Sequence, residues 1–296
     1  MEEGRPSAGA IVSAMTRAAH LLWDDPPKIF EDTFALPLSG CVGEVALRER
    51  SDAALAELAA IAGRDLAQAI RSHVRCSVVM RSRYVEDELE QAIKRGVAQY
   101  VILGAGLDSF AYRRPNVANV LRVFEVDHPA TQAWKRTRLH ELNVATPPNL
   151  VFVPLDFEKQ SLTESLRISG YRPDAAGFFS WQGVTMYLTQ DAIFDILRTV
   201  ASMAPGTEII FQYLPPAALL DDENGQIREF RMKLAAARGE PHISFFEPVK
   251  LAEQVRKLGF AEVWDLGPAA ANARYFANRT DGLRLRHIDH FMGARV

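Results

Sequence analysis

An apolar run that ends in two glycines constrains this chain more than any other feature: residues 100–108 read YVILGAGLD. Tyr100, Val101, Ile102 and Leu103 are β-prone and apolar throughout, the pattern of a parallel strand covered by helices on both faces. The run stops at Gly104-Ala105-Gly106, where glycine permits a tight turn and lets a ligand approach the backbone with no Cβ in the way. A helix is expected to follow, its free N–H groups facing the ligand. The third glycine of the dinucleotide fingerprint is absent, because Asp108, Ser109 and Phe110 fill the next positions. Asp127 stands 23 residues after Gly104 and ends a second apolar run, residues 120–126 (VLRVFEV). An acidic residue there is placed to accept both ribose hydroxyl hydrogens. The pattern implies adenosine and not a dinucleotide pyrophosphate.

From residue 99 onward, strand and helix patterns alternate. Predicted strands follow at residues 150–155 (LVFVPL), 177–181 (GFFSW), 207–213 (TEIIFQY), 260–266 and 272–277. Between them lie helices opened by Pro129, Thr189 and Pro248, and a longer insert at 215–246 with Ile227, Phe230 and Leu234 at helical spacing. This alternation predicts an α/β fold, a doubly wound and mostly parallel sheet. The first 96 residues show no convincing strand and read as a helical cap and lead-in to a sheet domain at 97–296. Within them Ser51 is expected to cap a helix ending at Gly63, residues 37–43 a loop, and Val85, Leu89, Ala92 and Ile93 a separate helix closed by Gly96.

The 296 residues suffice for one large domain, and a formal charge of −3 gives no electrostatic case for nucleic acid or an anionic membrane. No apolar run approaches the roughly 20 residues that span a bilayer. The acidic start, MEEGRPSAGA, lacks the apolar core of a secretory signal, and Cys41 and Cys76 form neither a metal spacing nor a disulfide framework. A cytoplasmic protein is expected. Nothing in the sequence specifies its oligomeric state.

In an open parallel sheet, ligands bind outside the carboxyl ends of the strands. Four predicted strand ends carry polar residues or glycine: Gly104-Ala105-Gly106, Asp127, Asp156-Phe157 and Gln182-Gly183. Any one of these alone reads as a helix cap or solvated loop; four at successive strand ends read as one site. Asp127 would hold the ribose, Asp156 the adenine amino group and Phe157 the adenine ring, with Gln182 near the reactive end.

The segments RSRYVEDEL, VILGAGLDSFAYR, VFEVDHP, FVPLDFE and WQGVTMYLT, with GEPHISFFEP and NARYFANRTDGL towards the C-terminus, resemble the leucine carboxyl methyltransferase-like proteins. The likeness is to their bacterial branch of S-adenosylmethionine-dependent O-methyltransferases, and it runs from about residue 81 to the end. It implies a Rossmann-like class I methyltransferase fold under a helical cap, with S-adenosyl-L-methionine as cofactor. By position, the resemblance assigns Arg81 to the methionine carboxylate, Gly104 to the loop at the methionine moiety, Asp127 to the ribose, and Asp156 with Phe157 to adenine. Arg17 matches, more loosely, a basic residue of the family's N-terminal segment. Gln182 stands where many members have glutamate.

A carboxylate acceptor needs no general base, whereas a hydroxyl or phenol does. His242 and Tyr187 are the candidates for such a role, Tyr187 and Tyr275 reading otherwise as core tyrosines. His287 and His290 have a metal-like spacing without a third ligand and read as a solvated helix face, so no metal is expected. The acceptor pocket is expected between the cap and the insert, where Leu219, Leu220, Phe230, Met232, Phe245 and Phe246 either pack or line it. Lining residues of that kind suit a polyketide, a lipid-like molecule or a phenol. The rival readings are a protein C-terminal carboxyl methyltransferase, a nicotinamide-dependent oxidoreductase, and a cofactor-binding protein without catalysis.

Overall fold

In the computed structural model, which describes residues 7–296, seven strands form one sheet. Four helices come first: α1 (Ala8–Trp23), α2 (Ala35–Leu38), α3 (Gly43–Ala62) and α4 (Arg64–Lys94). Alternating elements follow: β1 (Gln99–Leu103), α5 (Phe110–Arg113), β2 (Arg122–Asp127), α6 (Pro129–Glu141), β3 (Leu150–Pro154), α7 (Leu162–Ile168) and β4 (Phe178–Trp181). The chain ends with α8 (Gln190–Ala201), β5 (Glu208–Tyr213), α9 (Asp222–Ala237), α10 (Pro248–Lys257), β6 (Glu262–Leu266), α11 (Pro268–Tyr275) and β7 (His290–Arg295). The sheet order is β3-β2-β1-β4-β5-β7-β6, with β7 antiparallel to both neighbours and every other pairing parallel. This is the Rossmann-like class I architecture. Residues 1–6, the acidic start of the sequence, lie outside the described residues.

Strand periodicity divides the core in two. Tyr100 and Ile102 of β1 point to one face with Val123, Phe178 and Phe291, where Tyr84, Val85 and Leu89 of α4 cover them. Val101 and Leu103 point to the other, with Phe124, Phe179, Trp181 and Phe211, under Ile193 and Leu197 of α8 and Leu251 of α10. Both faces are covered, so β1, β4 and β5 are buried along their whole length, while edge strands β3 and β6 are partly exposed.

Several sequence expectations change. Ser51 lies inside α3, which begins at Gly43, and Pro37 belongs to α2; Gly63 does end α3, at φ +82°. Helix α4 is continuous over 31 residues and takes in the basic stretch before Val85. Its polar residues His73 and Ser77 are buried rather than solvated, which hides the helical period from a hydrophobicity reading. The helix after the glycine turn is only four residues long, because Arg114 precedes Pro115 and adopts a non-helical backbone. Residues 272–277 belong to α11 and its C-terminus, not to a strand.

The last strand is β7, and the histidine pair read as a solvated face leads into it. Asp289 is fully buried, and His290 pairs with Asp265 at 2.9 Å. Gly293 in β7 sits under the indole of Trp264, where an added Cβ would stand 2.1 Å from Trp264 Cε2, and that indole donates to Tyr84 Oη at 2.9 Å. Gly293→Ala is therefore expected to lower the unfolding free energy by about 1–3 kcal/mol. Urea titration should show a lower midpoint with an unchanged slope, and wild-type stability would refute this account of the β6–β7 contact.

Candidate active site

The carboxyl ends of β1, β2, β3 and β4 open into one cavity of about 1150 Å³, closed on the other side by α1, α3, α4 and α9. Arg81, Gly104, Ala105, Gly106, Asp127, Asp156, Phe157 and Gln182 all line it, and so do Tyr187 and His242.

The glycine turn is fixed by its backbone. Gly104 and Ala105 N–H both donate to Val126 O, at 2.8 and 3.1 Å, which draws the turn onto the end of β2. Gly104 and Gly106 lie at φ +68° and +52°, a region that a side chain disfavours. A Cβ on Gly104 would also stand 2.3 Å from Val184 Cγ2. Asp127 Oδ2 accepts from Gly106 N–H, and Oδ1 accepts from His128 N–H at 2.6 Å. Burial raises the Asp127 carboxyl above its usual range, and these two N–H groups pull it back towards ionisation. Each oxygen keeps a lone pair for a further donor.

At the tip of β3, Asp156 is half-buried; the burial is outweighed by Lys159, 3.1 Å away, and by Glu158 N–H, so its carboxyl lies below the usual range. Phe157 leans on Trp181 with ring centroids 6.2 Å apart. At the tip of β4, Gln182 Nε2 donates to Ile210 O at 2.9 Å, which fixes the amide's orientation. Its Oε1 is buried without a hydrogen-bond partner among the described residues.

Arg81 projects from α4 into the same space. Its guanidinium donates to Ser13 Oγ at 3.0 Å and to Gln212 Oε1 at 3.1 Å, both neutral groups, and has no ion pair among the described residues. Gly183 lets it approach closely: a Cβ there would stand 2.7 Å from Nη1. Burial pulls Arg81 down to about 10, with Asp289 acting in the opposite direction. Arg17 is tied elsewhere, to Asp32 at 2.7 Å and Leu107 O at 2.6 Å, and so clamps α1 to the glycine turn.

The far end of the cavity lies between α3, α4 and α9. Leu55, Leu58, Ile70, Val74, Met186 and Leu234 give it apolar walls, with Arg231 and Arg238 among them. None of Leu219, Leu220, Phe230, Met232, Phe245 and Phe246 lines it. Phe246 packs on Tyr213 and Phe194, Phe245 lies under Arg228, and Leu219 faces solvent. Tyr275 is held by Asp87 at 2.9 Å, away from the cavity.

Sequence reasoning missed Gln212, Asp289, His73 and Arg231, which form a polar cluster beneath Arg81. Gln212 carries a usable signal, a polar residue inside the apolar run TEIIFQY. Arg231 Nη1 donates to His73 Nε2 at 2.7 Å, so that nitrogen is unprotonated and gives nothing to Asp289 Oδ2, 3.2 Å away. His242 stands edge-on to the Tyr187 ring, centroids 5.2 Å apart. Among the described residues, no three His, Cys, Asp or Glu side chains gather as metal ligands, and no helix is long and apolar enough to cross a membrane.

Burial holds both histidines neutral, His73 pushed down to about 3 and His242 to about 4. The unfolded chain takes up protons first, near the ordinary histidine pKa of about 6.5, so this contribution to stability is present above that pH and is lost as pH falls towards 4. Each histidine is expected to lower the unfolding free energy by up to about 1.4 kcal/mol per pH unit between pH 7 and 5, against an opposite contribution from buried Glu125, whose carboxyl burial raises to about 7. His242→Gln should flatten that slope in urea titrations at several pH values, and an unchanged slope would show that His242 titrates normally.

The leucine carboxyl methyltransferase family model matches residues 10–201. A Bacillus subtilis (strain 168) protein, "Putative S-adenosyl-L-methionine-dependent methyltransferase YktD", is 31% identical over 99% of both chains. A similarly titled Mycobacterium avium (strain 104) protein is 32% identical over 71% of this chain and 68% of its own. Among solved structures, a methyltransferase-titled protein from Thermobifida fusca YX aligns over 99% of this chain and 96% of its own, at 15% identity and a TM-score of 0.58. At that identity the likeness supports the fold alone. With nearly two thirds of its length matched by the family model and its whole length by a relative, the chain belongs to the leucine carboxyl methyltransferase family of S-adenosylmethionine-dependent methyltransferases.

Proposed function

We propose that this protein transfers the methyl group of S-adenosyl-L-methionine to an oxygen of a small apolar acceptor, and that a carboxylate suits the site better than a hydroxyl. One observation carries the reading. A single cavity joins the glycine turn, Asp127, Asp156 and an arginine without a carboxylate partner among the described residues to an apolar chamber with further arginines. Its volume of about 1150 Å³ exceeds the roughly 300–1,000 Å³ of single-ligand pockets, leaving room for two ligands.

The residues present fit the cofactor. The turn at Gly104 and Gly106 lines the cavity with backbone at positive φ, packed so closely on Val184 and Ala10 that a Cβ would clash or strain it. Arg81 would pair with the methionine carboxylate through two parallel N–H donors. The orphaned Gln182 Oε1 would accept from the methionine ammonium. Asp127 would accept from the ribose hydroxyls, Asp156 from the adenine amino group, and Phe157 would cover the ring. Bound in this way, the cofactor supplies an electrophilic methyl group on a sulfonium.

The protein's own work is to align the acceptor oxygen with that methyl group and to exclude water. A carboxylate is already a nucleophile. A hydroxyl would need a base, and neither group beside the chamber suits that task near neutral pH. His242 is held at about 4 and Tyr187 is raised above its usual value by burial, which leaves it protonated. Arg231 and Arg238 favour an anionic acceptor. Buried free thiols at Cys41 and Cys76 accord with a reducing cytoplasm. On this reading the helices before residue 97 supply Arg81 and part of the chamber wall, and the sheet domain at 97–296, with its insert at 215–246, supplies the strand tips.

Gln182 in place of the family's frequent glutamate follows from its anchor, since a carboxylate there would face Ile210 O with no proton to give. Gln182→Glu is expected to cost about 1–3 kcal/mol of stability in urea unfolding. Calorimetric titration should show binding of S-adenosylmethionine and S-adenosylhomocysteine but not NAD, weakened about tenfold or more by Asp127→Ala or Asp156→Ala. A preference for NAD would overturn the assignment. With labelled cofactor, medium-chain carboxylates should accept methyl groups where the matching alcohols do not, and the reverse order would refute the carboxylate reading.

A further inference from the structure

Gln212 lies on β5 and lines the cavity beside Arg81, its side chain buried between two charged groups. Its amide nitrogen donates to Asp289 Oδ1 at 2.9 Å and to Ser77 Oγ at 3.3 Å. Asp289, at the start of the last strand segment, is fully buried and, when ionised, can only accept. The amide nitrogen must therefore turn towards Asp289, and the amide oxygen must turn the other way, to Arg81 Nη1 at 3.1 Å. Ser13 of α1 holds Nη2 at 3.0 Å, and Gly183 presses against the guanidinium's face. The guanidinium is thus met from three sides by neutral groups.

We propose that Gln212, with its amide locked by Asp289, is a positioning residue that aims the Arg81 guanidinium at the carboxylate of the bound cofactor. The proposal rests on the S-adenosylmethionine reading above and assigns a task to Gln212, which lines the cavity beside Arg81, and to Asp289, which does not line it. A neutral amide suits this place because it accepts from Arg81 without neutralising it. A glutamate would pair with Arg81 and compete with the cofactor, and an apolar side chain would release it. Removing Asp289 would take away the charged acceptor that anchors the amide NH₂ and leave the amide held only by Arg81 and Ser77.

The test compares S-adenosylhomocysteine with 5′-methylthioadenosine, which shares the adenosine and thioether but lacks the amino-acid carboxylate. In calorimetric titrations, Gln212→Met should weaken S-adenosylhomocysteine about 10-fold to 100-fold and leave methylthioadenosine within about twofold. In an Arg81→Ala background the same substitution should have no further effect, because the two side chains act as one unit. Should Gln212→Met not fold, Gln212→Glu, which keeps size and shape, should show the same selective loss. Equal weakening of both ligands, no weakening of either, or full additivity with Arg81→Ala would overturn the positioning role while leaving the cofactor assignment intact. A wild-type protein that binds neither ligand would overturn both.

Discussion

The site depends on one carboxylate that belongs to two elements at once. Asp127 ends β2, yet its oxygens hold the N–H groups of Gly106 and His128, so the glycine turn of β1 is shaped by its neighbour's tip. Val126 O adds two more bonds from Gly104 and Ala105. Parallel pairing of β1 with β2, Leu103 opposite Val126, brings these groups level. The turn therefore does not need a long following helix to define it, and four residues of α5 suffice. The same two N–H groups oppose the burial that raises the Asp127 carboxyl above its usual range.

The opposite wall depends on α4, whose 31 residues bring buried polar groups from the sheet face to the cavity. His73, Ser77 and Arg81 lie at helical spacing on it and meet Gln212 and Asp289 from the sheet. A buried carboxylate and two arginines there would be costly if left apart. Here Arg231, the Ser77 hydroxyl and Arg81 all favour the Asp289 carboxylate against its burial, while the amide of Gln212 lies between it and Arg81. Asp289, the residue before the chain's last strand, thereby takes part in the site although it does not line the cavity.

Much of this was legible in the sequence, and the parts that were not share a cause. Strands β1 to β5 announce themselves because buried parallel strands are apolar on both faces, and their tips carry the polar residues that stand out against them. Every predicted cofactor residue, from Arg81 to Gln182, lines the one cavity. Periodicity failed where polarity turned inwards. Asp289 and His290 looked solvated because no local pattern says that residue 289 will meet Gln212, 77 positions away in the chain. In α4, His73 and Arg81 broke the apolar stripe for the same reason. The segment 272–277 was misread because its tyrosine and phenylalanine favour strands, while Pro268 at the first turn of α11 set the helix. The insert's apolar residues were counted as possible lining, yet Arg231, Arg238 and Leu234 face the cavity while Phe245 and Phe246 pack.

On the proposed function, the two ends of the cavity differ in how firmly they are built. The cofactor end is made of strand tips, bound to each other by backbone hydrogen bonds and backed by fully buried residues such as Leu103 and Trp181. The acceptor end leans on α3, which buries one side chain, Leu47, in 20 residues. A helix with so little buried surface opens locally at low cost. Val42, Val45 and Ile61 are already exposed on it or at its start. Substitutions along its cavity side, at Leu55 or Leu58, can reshape the chamber without disturbing the sheet. Those at Asp127 or Gly104 cannot, because each is fixed by the neighbouring strand. The cofactor is thus specified by the part of the molecule that tolerates least change, and the acceptor by the part that tolerates most.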